Sequence, residues 1–206
     1  MSNSKIKNII FDLGNTLVYY DFWYFYDGVS RLEKKLQPAA LCRFISEKKL
    51  GDKLCTGKIL PRQAFRIIKK KFDLKTGYKD FIYLYADIFW ENTYMKNFLE
   101  KIIKDNKFKV VLLSNTDILH FNFINKNFPY VNLIRNKVLS YKTGMMKPSK
   151  KIFLHTLKKY KFVKSETLLI DDMKANIDAA SSLGLHALHY KSHRQFLKKF
   201  NVLTKK

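Results

Sequence analysis

Cysteine, proline and glycine are scarce in this chain, and acidic residues are heavily outnumbered. The two cysteines, Cys42 and Cys55, lack CxxC spacing, which excludes a disulfide framework and a cysteine-rich zinc site. Seven glycines and four prolines, with abundant Lys, Ile, Tyr and Phe and no internal repeat, fit compositional drift rather than a fibrous or low-complexity protein. No long hydrophobic run occurs near the start. The apolar stretch after the polar, basic segment Met1 to Asn8 stops at Asp12, too short for a signal-peptide core or a membrane span. The expectation is a cytoplasmic protein with no membrane partner. Only 17 acidic residues face 40 basic ones, for a formal charge of +23. Such an excess suggests a polyanion partner, but the lysines are scattered along the whole chain. A solvated basic surface is expected rather than a nucleic-acid face, one that raises the encounter rate with anionic substrates.

What is present is alternation. Short apolar runs at Lys7 to Leu13, Lys109 to Ser114, Asn136 to Ser140, Thr167 to Asp171 and His186 to Tyr190 read as strands. Helical patterns at Asp117 to Lys126, Ser149 to Tyr160, Lys174 to Leu183 and Ser192 to Phe200 read as the helices between and after them. This order predicts an α/β fold with a three-layer, Rossmann-like parallel sheet. The span 21–91 differs. It has helix periodicity in Phe44 to Leu50, Arg62 to Phe72 and Phe81 to Trp90, no convincing strand, and punctuation at Gly51, Gly57 and Pro61. It is expected to be a small helical cap inserted after the first strand, with 1–20 and 92–206 forming the core; 206 residues with 47% hydrophobic content suffice for one domain with an insertion.

Ligands of such sheets sit beyond the carboxyl ends of the strands. Asp12 follows the first run, Ser114-Asn115-Thr116 the second, Lys147 lies after the third, and Asp171-Asp172 end the fourth. If the first and fourth runs are neighbours, three carboxylates meet at one sheet edge. Like charges repel and desolvation opposes ionisation, so a cation is needed there, and magnesium is the economical choice. Paired acids, a hydroxyl with backbone N–H groups, a lysine and a further acid make a set suited to phosphoryl transfer. Simpler roles remain open: strand-end acids capping the next helix, a turn at Ser114 to Thr116, one lysine among many at 147, and a helix-surface amide rather than a metal-shell group at Asn176.

In FDLGNT, LLSNT, the lysine of GMMKP, and LLIDDMKAN the chain resembles the haloacid dehalogenase-like hydrolase superfamily, in motif order and spacing. The resemblance implies that Asp12 is a nucleophile forming an aspartyl-phosphate. It implies that Ser114 and the N–H of Asn115 hold phosphate oxygens, and that Lys147 neutralises charge on Asp12 and the transferring group. Asp12, the Gly14 carbonyl and Asp172 would coordinate Mg²⁺, with Asp171 binding directly or through water.

One position departs from the family pattern. Most phosphatases of the superfamily carry a general acid two residues after the nucleophile, where this chain has Gly14. FDLGN, Asp21-Phe22 and IDDxxxNIxAA resemble a sugar-phosphate phosphatase branch that includes an enzyme acting on α-glucose 1-phosphate, whose anomeric leaving group needs little protonation. A small phosphorylated metabolite is therefore the expected partner, with Tyr20 and Asp21 as candidate substrate contacts and either Asp21 or a residue of the cap as the holder of the hydrolytic water. Aromatics near the ends of the insertion, Tyr19, Phe22, Trp23, Tyr24 and Trp90, are further candidates for lining the pocket. The competing readings are a catalytically weak protein of this fold that engages RNA or an acidic partner, and a 2-haloacid dehalogenase, which needs no metal and is opposed by Asp171-Asp172.

Overall fold

The computed structural model describes residues 5 to 204, so the outermost ends of the expected core segments, 1–4 and 205–206, lie outside the described residues. Along the chain run β1 (Asn8–Phe11), β2 (Val18–Tyr20), α1 (Trp23–Leu32), α2 (Pro38–Glu47), α3 (Leu50–Cys55), α4 (Pro61–Phe72) and α5 (Tyr78–Ala86). They are followed by β3 (Phe89–Glu91), α6 (Thr93–Asp105), β4 (Lys109–Ser114), α7 (Ile118–Asn127), β5 (Asn136–Leu139) and α8 (Ser140–Thr143). The last elements are α9 (Lys150–Tyr160), β6 (Thr167–Asp171), α10 (Lys174–Ser181), β7 (His186–His189) and α11 (His193–Thr204).

Five strands form one parallel sheet in the order β5-β4-β1-β6-β7. Because successive side chains of a strand point to opposite faces, each strand feeds two cores. Ile9 and Phe11 of β1 join Leu112, Ile170 and the helices α6 and α11 on one face. Ile10 joins Val111, Leu169 and the helices α9 and α10 on the other. The result is the three-layer α/β architecture the sequence suggests. Strand order reverses at β1: the chain moves outward to β4 and β5, then returns across β1 to β6 and β7. The register pairs Phe11 with both Leu112 and Ile170, which sets the ends of β4, β1 and β6 side by side.

Helices α1 to α5 carry a hydrophobic cluster of their own, including Phe25, Leu41, Leu54, Phe65 and Phe81. Two expectations for this span need correction. It does contain a strand: β3 pairs antiparallel with β2, matching Tyr19 with Trp90 and Tyr20 with Phe89, so the helical pattern stops at Ala86 rather than at Trp90. Three residues per strand are too few to display an alternation. Gly51 does not break a helix but lies inside α3, because Lys49 takes the left-handed conformation (φ +50°) at the turn before it. Gly57 (φ +66°) and Pro61, at the first turn of α4, do act as punctuation. Among the described residues no helix is long and apolar enough to cross a membrane.

Candidate active site

Asp12 emerges from β1 with its N–H donating to the Ile170 carbonyl at 2.9 Å, which extends the ladder one residue and holds its carboxylate beside the end of β6. Asp171 ends β6 and is fully buried; Asp172 follows, half-buried. One carboxylate oxygen from each of Asp12, Asp171 and Asp172 falls within 4.8 Å of the others. Lys147 reaches into this group from the loop after α8. Its Nζ donates to Asp12 Oδ1 at 2.5 Å and to Asp171 Oδ2 at 2.6 Å, with its side chain 1% exposed.

The electrostatics follow from that crowding. Burial, reinforced by Asp171 and Asp172, pushes the Asp12 carboxyl up to about 7 in spite of the adjacent Lys147 ammonium. Burial and the Asp171 charge also raise Asp172. Burial opposes the charge on Lys147, but Asp12 and Asp171 outweigh it and hold the ammonium above its ordinary value. One lysine does not balance three acids.

Asp171 is saturated differently from its neighbours. Besides Lys147, it accepts from Asn176 Nδ2 at 2.8 Å and from the Met173 N–H at 2.9 Å, both at Oδ1. The other end of that amide, Asn176 Oδ1, is buried without a hydrogen-bond partner. Three hard carboxylates carrying more negative charge than their lysine offsets, with an orphaned amide oxygen alongside, fit a divalent cation that prefers oxygen ligands. Of the two paired acids, Asp172 is the one that walls the open cleft.

That cleft, about 270 Å³, is walled by Asp12, Gly14, Tyr20, Ser114, Asn115 and Lys147, with Gly51, Asp52 and Cys55 of α3 on the side of the helical insertion. Burial, then Asp117 and Asp52, pushes the Cys55 thiol up to about 12, so it is no nucleophile. Asn115 does more than close a turn. Its side-chain amide donates to the Lys147 carbonyl and its Oδ1 accepts the Lys147 N–H, both at 2.8 Å. The Thr116 N–H donates to Ser140 Oγ at 2.9 Å, which in turn donates to the Thr116 carbonyl at 3.0 Å. The loop after β4 and the segment bearing Lys147 are thus tied together twice.

Asp21 is not brought to the cleft. It is exposed, and its Oδ1 accepts the Trp23 N–H at 2.8 Å, the short-range turn bond that aspartate makes readily. Of the hinge aromatics, Tyr20 and Phe22 wall the cleft, whereas Trp23, Tyr24 and Trp90 are exposed large side chains and Tyr19 packs on Trp90.

Sequence reasoning also missed a buried polar cluster whose His120 is itself a wall of the cleft. Asp117 Oδ2 lies 2.8 Å from both the Tyr85 hydroxyl, which donates to it, and His120 Nδ1. His120 Nε2 lies 2.8 Å from the Tyr85 carbonyl, which only accepts, so Nε2 carries a proton. Burial opposes the Asp117 charge, but His120 and Tyr85 outweigh it and hold the carboxyl below its usual range. The available signal was the i,i+3 spacing of Asp117 and His120 at the start of α7.

Comparison with known proteins bears on this arrangement. A family model described as haloacid dehalogenase-like hydrolase matches residues 6–184. The chain is similar to the haloacid dehalogenase (HAD) family enzyme bt-2542 from Bacteroides thetaiotaomicron. Against that enzyme's magnesium complex the identity is 26% and the TM-score 0.81, covering 96% of this chain and 99% of that one. Against its wild-type complex with magnesium and inorganic phosphate the figures are 27% and 0.74, covering 90% and 94%. A protein from Porphyromonas gingivalis described as a predicted HAD-like family hydrolase shares the fold at 20% identity and TM-score 0.71, over 98% of this chain and 100% of that one. With the family model spanning all four strand-end motifs, the chain belongs to the haloacid dehalogenase-like hydrolases.

Proposed function

We propose that the chain is a magnesium-dependent phosphatase that hydrolyses a small phosphomonoester through an aspartyl-phosphate on Asp12. The observation that carries this reading is the convergence of Asp12, Lys147, Asp171 and Asp172 at one cleft that also holds Ser114 and Asn115. The bound magnesium and phosphate in the Bacteroides thetaiotaomicron enzyme support it.

In this reading Asp12, Asp172 and the Gly14 carbonyl would hold Mg²⁺, with Asp171, which aligns Lys147, contributing directly or through water. The cation supplies charge neutralisation, letting a carboxylate approach a phosphate dianion. An Asp12 oxygen attacks phosphorus as the bond to the ester oxygen breaks, the leaving oxygen takes its proton from solvent, and Lys147 offsets charge on the nucleophile and the transferring group. Ser114 and the Asn115 N–H hold phosphate oxygens in line. Water then attacks the aspartyl-phosphate, releasing phosphate and restoring Asp12. Residues 21–91 act as a cap whose α3 edge closes over the leaving group. With glycine at position 14, leaving groups that need little protonation are favoured.

Assaying the purified chain on a panel of phosphate esters, with EDTA and then with restored Mg²⁺, tests the proposal. Hydrolysis lost on chelation and regained with magnesium is expected. Activity indifferent to EDTA removes the metal from the reaction, and no hydrolysis of any ester refutes the phosphatase reading.

A further inference from the structure

Helix α3 stands between two spaces. One is the catalytic cleft. The other is a cavity of about 230 Å³ bounded by residues of α1 to α5. Phe22, Gly51 and Asp52 are walls of both. The remaining walls of the second cavity are mainly apolar, among them Phe25, Leu50, Leu54, Ala64, Ile68 and Phe81. Tyr85 also lines it, but its hydroxyl is committed to Asp117. A Cβ added at Gly51 would meet no atom within 4 Å, so open space flanks the helix where it separates the two volumes.

Protein interiors leave few voids larger than a water molecule. An apolar cavity of roughly 150 Å³ stays dry and accepts a benzene-sized guest. The cavity here is larger, is mainly apolar with Ser46, Lys49 and Asp52 among its walls, and shares walls with the space in front of Asp12. We propose that it receives an apolar leaving group, so that the preferred substrates are monophosphate esters of phenols bearing a short alkyl chain, whose leaving oxygens need little protonation, with Gly51 as the specificity-determining position. This inference rests on the phosphatase reading above and replaces the polyhydroxylated leaving group that the sequence resemblance suggests. Asp52, on the shared wall, disfavours a second negative charge on the tail. Glycine at 51 places no side chain at the wall the two volumes share.

Titration calorimetry of the magnesium-loaded full chain with methylphosphonate and hexylphosphonate reads the cavity without turnover. Each methylene fully removed from water strengthens binding by about fourfold, so partial burial of the tail predicts a preference for hexyl of at least about tenfold. Filling the space from either side, with Gly51→Leu or with Ala64→Leu, is expected to cut that preference to below about threefold. Equal affinity for the two phosphonates in the wild type overturns the proposal, as does a preference that survives in both folded variants. Hydrolysis of phenyl phosphate and 4-butylphenyl phosphate separates the two readings. Turnover without a chain-length preference sinks the apolar subsite and leaves the phosphatase. A hexyl preference in binding without turnover of either ester sinks the phosphatase and leaves an apolar anion site.

Discussion

The ring of Tyr20 occupies the space that a side chain at position 14 would need: a Cβ on Gly14 would lie 2.6 Å from Tyr20 Cε1. Phe22 and Phe89 pack against that ring, with centroids 5.6 and 5.9 Å away, which limits its retreat. Gly14→Asp alone is expected to destabilise the protein by about 1–3 kcal/mol, the usual cost of overpacking, and to lower activity. Gly14→Asp with Tyr20→Ala is expected to exceed the single variant, most on esters with poor leaving groups, because the added acid then has room. Thermal melts and kcat/KM on methyl and p-nitrophenyl phosphate measure this. A double variant no better than the single one rules out crowding as the reason for the glycine.

Stability of the metal-free protein is expected to fall as pH rises from about 4 to about 7. Asp12 has its carboxyl raised from 3.8 to about 7 by burial, so within that window the folded chain holds a proton that the unfolded chain has released. Above pH 7 this contribution has been lost. Asp12→Asn, neutral throughout, is expected to flatten the slope and to reduce turnover by at least about 10³-fold. Melting temperatures in EDTA between pH 5 and pH 8 provide the check. Magnesium is expected to raise the melting temperature more at pH 8 than at pH 5, because it competes with the Asp12 proton. Identical slopes in wild type and variant would contradict the assignment.

Asn176→Ala is expected to weaken magnesium binding by about 10- to 100-fold while leaving the fold intact. Its amide donates to Asp171 Oδ1 at 2.8 Å, and its own oxygen is buried and unpartnered. Groups that orient metal-binding carboxylates typically carry that much affinity. Calorimetric titration with magnesium reads the effect directly, and unchanged affinity would return Asn176 to a purely structural role.

Asp117→Asn is expected to cost about 3–5 kcal/mol, because it leaves the buried His120 without its carboxylate and weakens the Tyr85 bond. The Asp117 carboxyl is held below its usual range, so its contribution is present above the ordinary carboxylate pKa and disappears as pH falls through the lowered one. The variant is therefore expected to lose part of the acid sensitivity of the wild type. Urea unfolding at pH 7 and pH 3 tests both statements; a cost below 1 kcal/mol would mean that water replaces the pair.

Legibility differed along the chain for physical reasons. The β1, β4 and β6 runs were readable because strands buried on both faces are continuously apolar, and the polar residues that end them break the run. Strands β2 and β3 were hidden, since three residues give no period and their pairing spans the whole helical insertion. Asp21 looked like a cleft residue because it lies close in sequence to the strand that leads into Asp12, but a turn bond from the Trp23 N–H holds it elsewhere. The His120, Asp117 and Tyr85 cluster was not seen, because two of its members adjoin on α7 while the third arrives from α5.

By itself the amino-acid order determined the chemical inventory and its placement at strand ends, because apolar periodicity and the polar residues that interrupt it act over a few residues. The motif resemblance singled out Lys147, but only the tertiary structure decided that its ammonium is buried between Asp12 and Asp171, since it meets Asp12 across 135 positions. It also decided that Asn115 grips the Lys147 backbone, that Tyr20 fills the space beside Gly14, and that α3 divides the cleft from an apolar cavity. These contacts depend on strand order and on how the insertion packs. No local signal carries either.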